Sequence, residues 1–500
     1  MNFNLEGVSL RLKTYNWTAI FFLFLGITLF IRFPFFFRDY IDRDESTFIL
    51  MGQSIVDGHL PYMTLWDLKP PLLFYFFAAV IFLFGKSFIA IRLIGSLLIV
   101  ASAMIVYVIS KKMSNEKIAL LGGLLLILTS SLFGNIQGVM SEHISIFFYL
   151  PALYFLWKYP SRLFGIFCAG LLLGCSIMTK LNMVYPGLLL GLFLCGSSFY
   201  RNIMRGVKNG VVLFLGTATT IVLTALPYIL IDRFDVWWNS VIMAAIVYNP
   251  EGSPLNKWVM ILLVVMFAVL FYRFYKKHIR HNNTLKNLYP LIAFSFLGVM
   301  ISFIDVGKIN GHYLIQAYPF LIMMLCGWIA TLKKAENWSY KWVLLVLIFV
   351  TPVEAYLEYG VLGKRLAEGK SLYNEEGFEI PQYFSEQKID PENILFMNFH
   401  IGYWIMDENI PSKVMTHPSN IYRDELFSYM GIQEDTSEEE ILRIFNIVKP
   451  DYIVGPQPKK IYRTKDTSDI EEVKYFHNLL RKNYQIQEIV GTAGIYKRKG

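Results

Sequence analysis

The chain has 500 residues, 55% of them hydrophobic and only 17% charged, with a mean hydropathy of +0.44. Soluble domains carry about 25% charged residues, so a water-soluble enzyme is excluded and an integral membrane protein is expected. The net charge of +8 requires no nucleic-acid partner, because loop lysines and arginines that fix membrane topology account for it. Cys168, Cys175, Cys195 and Cys326 all fall within apolar segments. They read as small buried hydrophobes, with neither a disulfide framework nor a zinc knuckle.

Arg11 and Lys13 precede an apolar run from Trp17 to Phe37. The run is too long for a signal-peptide core and lacks a small-residue cleavage site, so a retained first span is expected. A polar stretch of about thirty residues follows, from Tyr40 to Pro71, where connections usually take about 2–8 residues. It holds Asp42, Asp44, Glu45, Asp57 and Asp67, with Lys69 set against Pro70 and Pro71. Asp44 and Glu45 open an expected short helix, Ser46–Asp57, closed by Gly58. Its apolar Phe48, Ile49, Met51, Ile55 and Val56 suit a helix lying at the membrane interface. By spacing alone, Asp44 serves equally well as a helix-terminal carboxylate favoured by the dipole. Pro70 disfavours helical geometry at Lys69, and Pro71 suits the first position of a following helix. The ammonium is thus held at a bend on the membrane rim, where it either binds a lipid phosphate or snorkels as an anchor.

A spanning helix needs about 20 apolar residues. On that criterion the spans are 16–37, 88–110, 117–134, 143–157, 163–179, 182–199, 209–231, 257–273, 288–304, 313–332 and 341–359, about eleven in all. The run 72–84 is decided by the positive-inside rule. If it lies on or dips into the membrane, the clusters Lys111, Lys112 and Lys117; Lys158 and Arg162; Arg201, Arg205 and Lys208; Arg273, Lys276, Lys277 and Arg280; and Lys333 and Lys334 all join Arg11 and Lys13 in the cytoplasm. The first loop (38–87), Ser141-Glu142-His143, Lys180, segment 232–256, the loop Asp305–His312 and the tail then share the outer side. The sequons at Asn16, Asn282 and Asn337 fall on the cytoplasmic side, so glycosylation does not explain them.

Beyond about Gly360 the composition turns soluble. Tyr383–Gln387 and Ser437–Ile447 read as helices, the second opened by a capping box of Ser437 with Glu440. Asn393–Phe399, Lys413–Thr416, Asp451–Val454 and Ile486–Val490 read as strands. Two units are expected: 1–360 in the membrane and 361–500 as a small α/β domain outside it. Glu142 and His143 at the start of the fourth span, Lys180 at the end of the fifth, and Lys308, His312 and Tyr313 before the tenth would place cations and carboxylates on one outer face. Each is singly also what an interfacial anchor looks like.

Asp44-Glu45, Gly58-His59-Leu60-Pro61-Tyr62, Asp67-Leu68-Lys69-Pro70-Pro71-Leu72, Phe84-Gly85 and Arg92-Leu93 resemble the opening of the GT-C glycosyltransferases. The nearest group is that of the protein mannosyltransferases and aminoarabinose transferases, glycosyltransferase family 39. Gly174 through Thr179-Lys180, and His312-Tyr313-Leu314 through Pro319, are similar to later landmarks of that family. The resemblance covers roughly 17–330. It implies a polytopic α-helical enzyme of the cytoplasmic membrane that moves one sugar from a polyprenyl-phosphate donor to a hydroxyl of a lipid, glycan or protein. It further implies Asp44 as base, with Glu45 completing an acidic pair. Lys69 would hold the lipid phosphate, with Lys180, His312 and Tyr313 as further donor contacts. Glu142 and His143 would serve the acceptor or a metal, and a divalent metal ion is left open as cofactor. A helix-terminal carboxylate is a poor base unless a partly dry cavity raises its pKa, and such a cavity is expected between loop and membrane. An oligosaccharide ligase or polymerase is the alternative. A lipid-linked sugar transporter is disfavoured, because the spans carry almost no charge at their middles.

Overall fold

The computed structural model describes residues 16–39, 43–131, 136–199, 202–248, 254–280, 285–307, 310–332, 341–457 and 471–499. Arg11, Lys13, Asp42, Arg201, Asn282, Lys308, Lys333, Lys334 and Asn337 lie outside them. Helix α1 (Trp17–Arg32) begins at Asn16, whose side chain accepts from the Thr18 N–H at 3.2 Å, and gives way to a 3₁₀ turn at Pro34. The first loop carries α2 (Arg43–Val56) and α3 (Pro71–Phe84). Then come α4 (Phe88–Met113), α5 (Glu116–Thr129), α6 (Ser141–Lys158), α7 (Leu163–Ile177), α8 (Val184–Phe199) and α9 (Ile203–Leu230). Two short helices, α10 (Phe234–Trp238) and α11 (Ala244–Val247), precede α12 (Pro254–Phe274), α13 (Leu285–Val306), α14 (Tyr318–Ile329), α15 (Lys341–Val350) and α16 (Val353–Ala367).

Each expected span overlaps helix among the described residues. Among the described residues, five helices are long and apolar enough to cross a membrane by length and composition: Trp17–Phe37, Phe88–Met113, Ile203–Leu230, Lys257–Ile279 and Leu285–Asp305. Helices α7, α8 and α14 are shorter apolar elements. The span expected over 341–359 is broken between α15 and α16, where Pro352 lacks the N–H that would continue the ladder. Along α12, Leu262, Val265, Met266 and Leu270 lie half or more exposed. Such a belt is a liability in water and the required surface in lipid. Helices α7 and α9 instead meet backbone to backbone. A Cβ on Gly170 would lie 2.4 Å from the Leu213 carbonyl, and the Thr217 hydroxyl donates to the Gly170 carbonyl at 3.1 Å. Small residues permit this approach where lipid offers no hydrophobic drive, and it fixes the end of α7 that leads to Lys180.

The C-terminal part holds α17 (Glu376–Glu386), α18 (Gly402–Met406), α19 (Asp424–Met430), α20 (Ser437–Arg443) and α21 (Glu471–Asn483). They pack around a four-stranded sheet in the order β1 (Ile394–Phe396), β2 (Tyr452–Pro456), β4 (Ala493–Arg498), β3 (Tyr484–Val490). β1 and β2 pair in parallel; the other pairs are antiparallel. Strand β4 has no counterpart in the sequence reading. Lys413–Thr416 is a 3₁₀ helix where a strand was expected, capped by the Ser412 hydroxyl, which accepts from the Val414 N–H at 3.2 Å. The cap of α20 is Thr436, one residue before the expected Ser437. The Ser437 N–H is taken by Asp424 Oδ1 at 2.6 Å, and the Glu440 carboxylate pairs with Arg443 and Ser412.

This C-terminal part closes onto the first loop. The Asn374 N–H donates to the Phe37 carbonyl at 2.9 Å, and Trp404 Nε1 donates to Gln53 Oε1 at 2.9 Å. Lys86 pairs with Asp407, and the Trp66 N–H reaches the Thr416 hydroxyl at 3.2 Å.

Candidate active site

Arg43, Asp44 and Glu45 form the first turn of α2, which starts three residues before the expected Ser46. Phe48, Ile49 and Met51 bury its inner face, and Gly58, at φ +96°, turns the chain away after it. A Cβ on Gly52 would lie 2.7 Å from Phe77 Cβ, so α2 and α3 touch along their backbones. The segment between them is pinned at several points. The Tyr62 hydroxyl donates to the Lys69 carbonyl at 2.6 Å, Tyr228 to the Pro61 carbonyl at 2.8 Å, and Trp66 Nε1 to Ser240 Oγ at 3.0 Å. The Lys69 N–H donates to Asp67 Oδ2 at 3.3 Å, Pro70 is extended, and Pro71 opens α3. So held, the Lys69 ammonium sits 3.3 Å from Asp44 Oδ2 and 5.7 Å from the centre of the Phe48 ring.

Glu45 points the other way. Its Oε2 is paired with the fully buried Arg92 and its Oε1 accepts from the Val139 N–H at 2.7 Å. Both oxygens are engaged, so Glu45 braces α2 against α4 and the turn before α6. Removing Arg92 would leave a buried carboxylate without its cation, the costliest way to break such a pair. The same turn is gathered by the buried Arg32, which donates to the carbonyls of Ser130, Ile136, Gln137 and Gly138 at 2.6–3.3 Å. This fixes where α6 starts, and with it Glu142.

Glu142 is fully buried and pairs with Lys180, which follows α7. His312 Nε2 lies 3.8 Å from the same carboxylate oxygen, and the Lys180 ammonium sits 4.5 Å above the Tyr313 ring. The 3₁₀ helix Gly311–Gln316 that carries both is tied to the residues after Lys180, with Asn182 Nδ2 donating to Gln316 Oε1 at 2.8 Å.

A segment distant in sequence also reaches Asp44. His417, from the C-terminal part, places its Nε2 3.5 Å from Asp44 Oδ1. The sequence reading missed it; the only local signal is a His-Pro step before a short turn. The Thr47 hydroxyl ties the same surface to the C-terminal part, with His400 Nε2 at 2.9 Å and the Thr416 carbonyl at 3.2 Å.

Two carboxylate–lysine pairs, Asp44–Lys69 and Glu142–Lys180, therefore stand within electrostatic reach of each other. Burial pushes the Asp44 carboxyl up, but Lys69 and then His417 outweigh it and hold it well below the usual carboxylate range. This corrects the expectation of a raised pKa: the cavity is dry enough, but it also brings the cations. Burial works against the Lys69 ammonium too, and Asp44 reverses it, leaving Lys69 above its ordinary value. At Lys180 burial wins over Glu142 and the pKa falls; at His312 burial likewise lowers it.

His143 caps its own helix, its Nδ1 accepting from the Met140 N–H at 3.3 Å. Asp305 accepts from the Tyr185 hydroxyl at 2.8 Å, and Asp235 lies 3.7 Å from Arg233. Among the described residues no group of three or more His, Cys, Asp or Glu could hold a metal ion, and Glu142 already faces the Lys180 ammonium and the His312 ring.

Residues 68–231 match the family model described as dolichyl-phosphate-mannose-protein mannosyltransferase. In three dimensions the chain is similar to ArnT from Cupriavidus metallidurans bound to undecaprenyl phosphate, with a TM-score of 0.57, 13% identity, and coverage of 96% of this chain and 98% of that one. It is also similar to the apo oligosaccharyltransferase of Archaeoglobus fulgidus, with a TM-score of 0.50 and 12% identity over 97% of this chain and 75% of that one. At such identities the two structures speak for the fold alone. No curated protein matches the chain by sequence.

Proposed function

We propose that the chain, whose residues 68–231 match that family model and whose fold is similar to that of ArnT, is a GT-C glycosyltransferase that moves one sugar from a polyprenyl-phosphate carrier to a hydroxyl of a lipid, glycan or protein on the outer face of the cytoplasmic membrane. The observation that carries this reading is the Lys69–Asp44 contact at 3.3 Å beside the buried Glu142–Lys180 pair. Two cations at the ends of apolar helices, each neutralised by a carboxylate, suit a site that admits an anionic lipid head. The ArnT of similar fold binds undecaprenyl phosphate, which supports a carrier of that class here.

In this mechanism the acceptor oxygen forms a bond to the anomeric carbon as the bond from that carbon to the phosphate oxygen breaks. The acceptor's proton passes to Asp44, and the electron pair leaves on the polyprenyl phosphate. Direct displacement inverts the anomeric centre. Lys69 and Lys180, with His312 and Tyr313 beside them, stabilise the charge that grows on the leaving phosphate, where fixed charges in a dry site act most strongly. The entering phosphate competes for the Lys69 ammonium. As that contact loosens, Asp44 loses its strongest cationic partner and its pKa rises toward that of a useful base. Substrate binding itself thus activates the carboxylate. Glu45 acts by holding α2 in place.

Mass spectrometry of envelope lipids, glycans and proteins from cells with and without the gene tests the reading. One sugar missing from one class of molecule is the expected result; loss of a whole glycan block would favour the oligosaccharide-transferring alternative, and an unchanged profile would sink both. For the outer-face placement, cysteines introduced at Thr64 and Asn310 should both react with an impermeant thiol reagent added from outside. Labelling of only one would break the site into two compartments.

A further inference from the structure

We propose that His417, supplied by the C-terminal part, is a positioning residue for Asp44: a hydrogen-bond donor that orients the carboxylate through Oδ1. This rests on the reading of Asp44 as the base and adds the residue that orients it.

The argument starts from the other side of the imidazole ring. His417 caps the 3₁₀ helix Pro418–Tyr422, and its Nδ1 accepts the Ser419 N–H at 3.2 Å. The Ser419 hydroxyl lies 2.7 Å from the same nitrogen, and beside an Nδ1 that accepts from the backbone N–H it too acts as a donor. A nitrogen that accepts from a backbone N–H carries no proton of its own, so in the neutral ring the proton sits on Nε2. Nε2 is the atom that faces Asp44 Oδ1, at 3.5 Å, with the ring largely shielded from solvent. The cap thereby sets the tautomer, and the tautomer makes His417 a donor to the carboxylate and an unsuitable base.

The ring cannot swing away easily. The residues before it are tied to the first loop, with the Lys413 carbonyl accepting the Trp66 N–H at 3.3 Å and the Thr416 carbonyl accepting the Thr47 hydroxyl at 3.2 Å. Asp44 Oδ2 faces Lys69, so the two oxygens have different partners. When a lipid phosphate draws Lys69 off, Oδ1 stays beside His417. The charged and titratable groups around this pair are Lys69 on the loop, Arg43 on α2, His312 before α14, and His400 in the C-terminal part, with Glu142, Lys180 and Tyr313 behind them. The sign of the effect is set by Asp44: a donor to the carboxylate favours its ionised form.

Two substitutions separate donor from cap. In H417N the short amide can still accept the Ser419 N–H, as asparagine does at helix starts, but it falls short of Asp44. In H417Q the longer amide can donate to Asp44 and gives up the cap. The full-length protein in detergent is titrated with acid and followed by infrared difference spectroscopy, with the Asp44 band identified by its loss in D44N. The Asp44 midpoint is expected to move to higher pH in H417N and to stay near wild type in H417Q. Product formation in complemented cells, read by mass spectrometry, should fall roughly tenfold or more in H417N, the size expected for a hydrogen bond to a charged group, and recover in H417Q. An Asp44 band that titrates identically in wild type and H417N, or that is absent from both, overturns the proposal. So does an impaired H417Q beside an H417N near wild type, the pattern of a cap only, and so does equal impairment of both, which restoring the donor should have prevented. If D44N keeps its activity, the base assignment falls and this inference with it; a dead D44N beside a fully active H417N removes His417 alone.

Discussion

Asp44→Asn is expected to lower sugar transfer by roughly 10²–10⁴-fold, the usual contribution of a positioned proton acceptor, while the protein inserts and folds as before. Asparagine keeps the shape of the side chain, can still accept from His417, and removes only the charge and the basic oxygen. Burial of α2 does not depend on it, since Phe48, Ile49 and Met51 make the core contacts and Glu45 makes the brace to Arg92. Product level by mass spectrometry, normalised to folded protein in the membrane, is the measurement. Activity near that of the wild type would remove Asp44 from the mechanism.

Lys69→Ala is expected to raise the concentration of lipid donor needed for half-maximal transfer by roughly tenfold or more, the loss of one charge-assisted contact. It should also lower the maximal rate, because the ammonium meets the phosphate where negative charge grows. The pH dependence gives a second signature. Lys69 is the largest influence opposing burial at Asp44, so its removal raises the Asp44 pKa. A base works only when ionised, above its pKa; the acid limb of kcat/KM should therefore move to higher pH. In the wild type the free enzyme should show its acid limb at low pH, with the limb of kcat displaced upward, because the bound phosphate has drawn Lys69 away. Donor dependence and pH profile both unchanged in Lys69→Ala would show the lysine to be an interfacial anchor.

The two pairs also explain why the site is built at helix ends. Glu142 opens α6, Lys180 follows α7, and His312 precedes α14. An ionised group at mid-bilayer is expensive, whereas at the rim it can be buried in protein and still meet a lipid phosphate. The first loop and the C-terminal part close over this rim from outside the helices, through Trp66 with Thr416, Trp404 with Gln53, and His417 with Asp44.

The sequence by itself determined what depends on near neighbours. Apolar runs of spanning length, the Gly58 stop and the Lys69-Pro70-Pro71 bend all follow from backbone and solvation preferences that act over a few residues. The positive-inside rule assigns Asp44, Lys69, Glu142, Lys180 and His312 to one side as an expectation, and the structure brings these five within electrostatic reach of one another. Tertiary structure decided the pairing. Glu45 turned out to be tied to Arg92 and Val139, and His143 to its own helix. Lys413–Thr416 became a 3₁₀ turn because its polar groups found Trp66 in place of a neighbouring strand. His417 could not be anticipated, since its tautomer is set by Ser419 two residues on and its target lies at the other end of the chain. The pKa of Asp44 went opposite to expectation for the same reason: burial is legible as hydrophobic pattern, but the cations that outweigh it arrive through long-range folding.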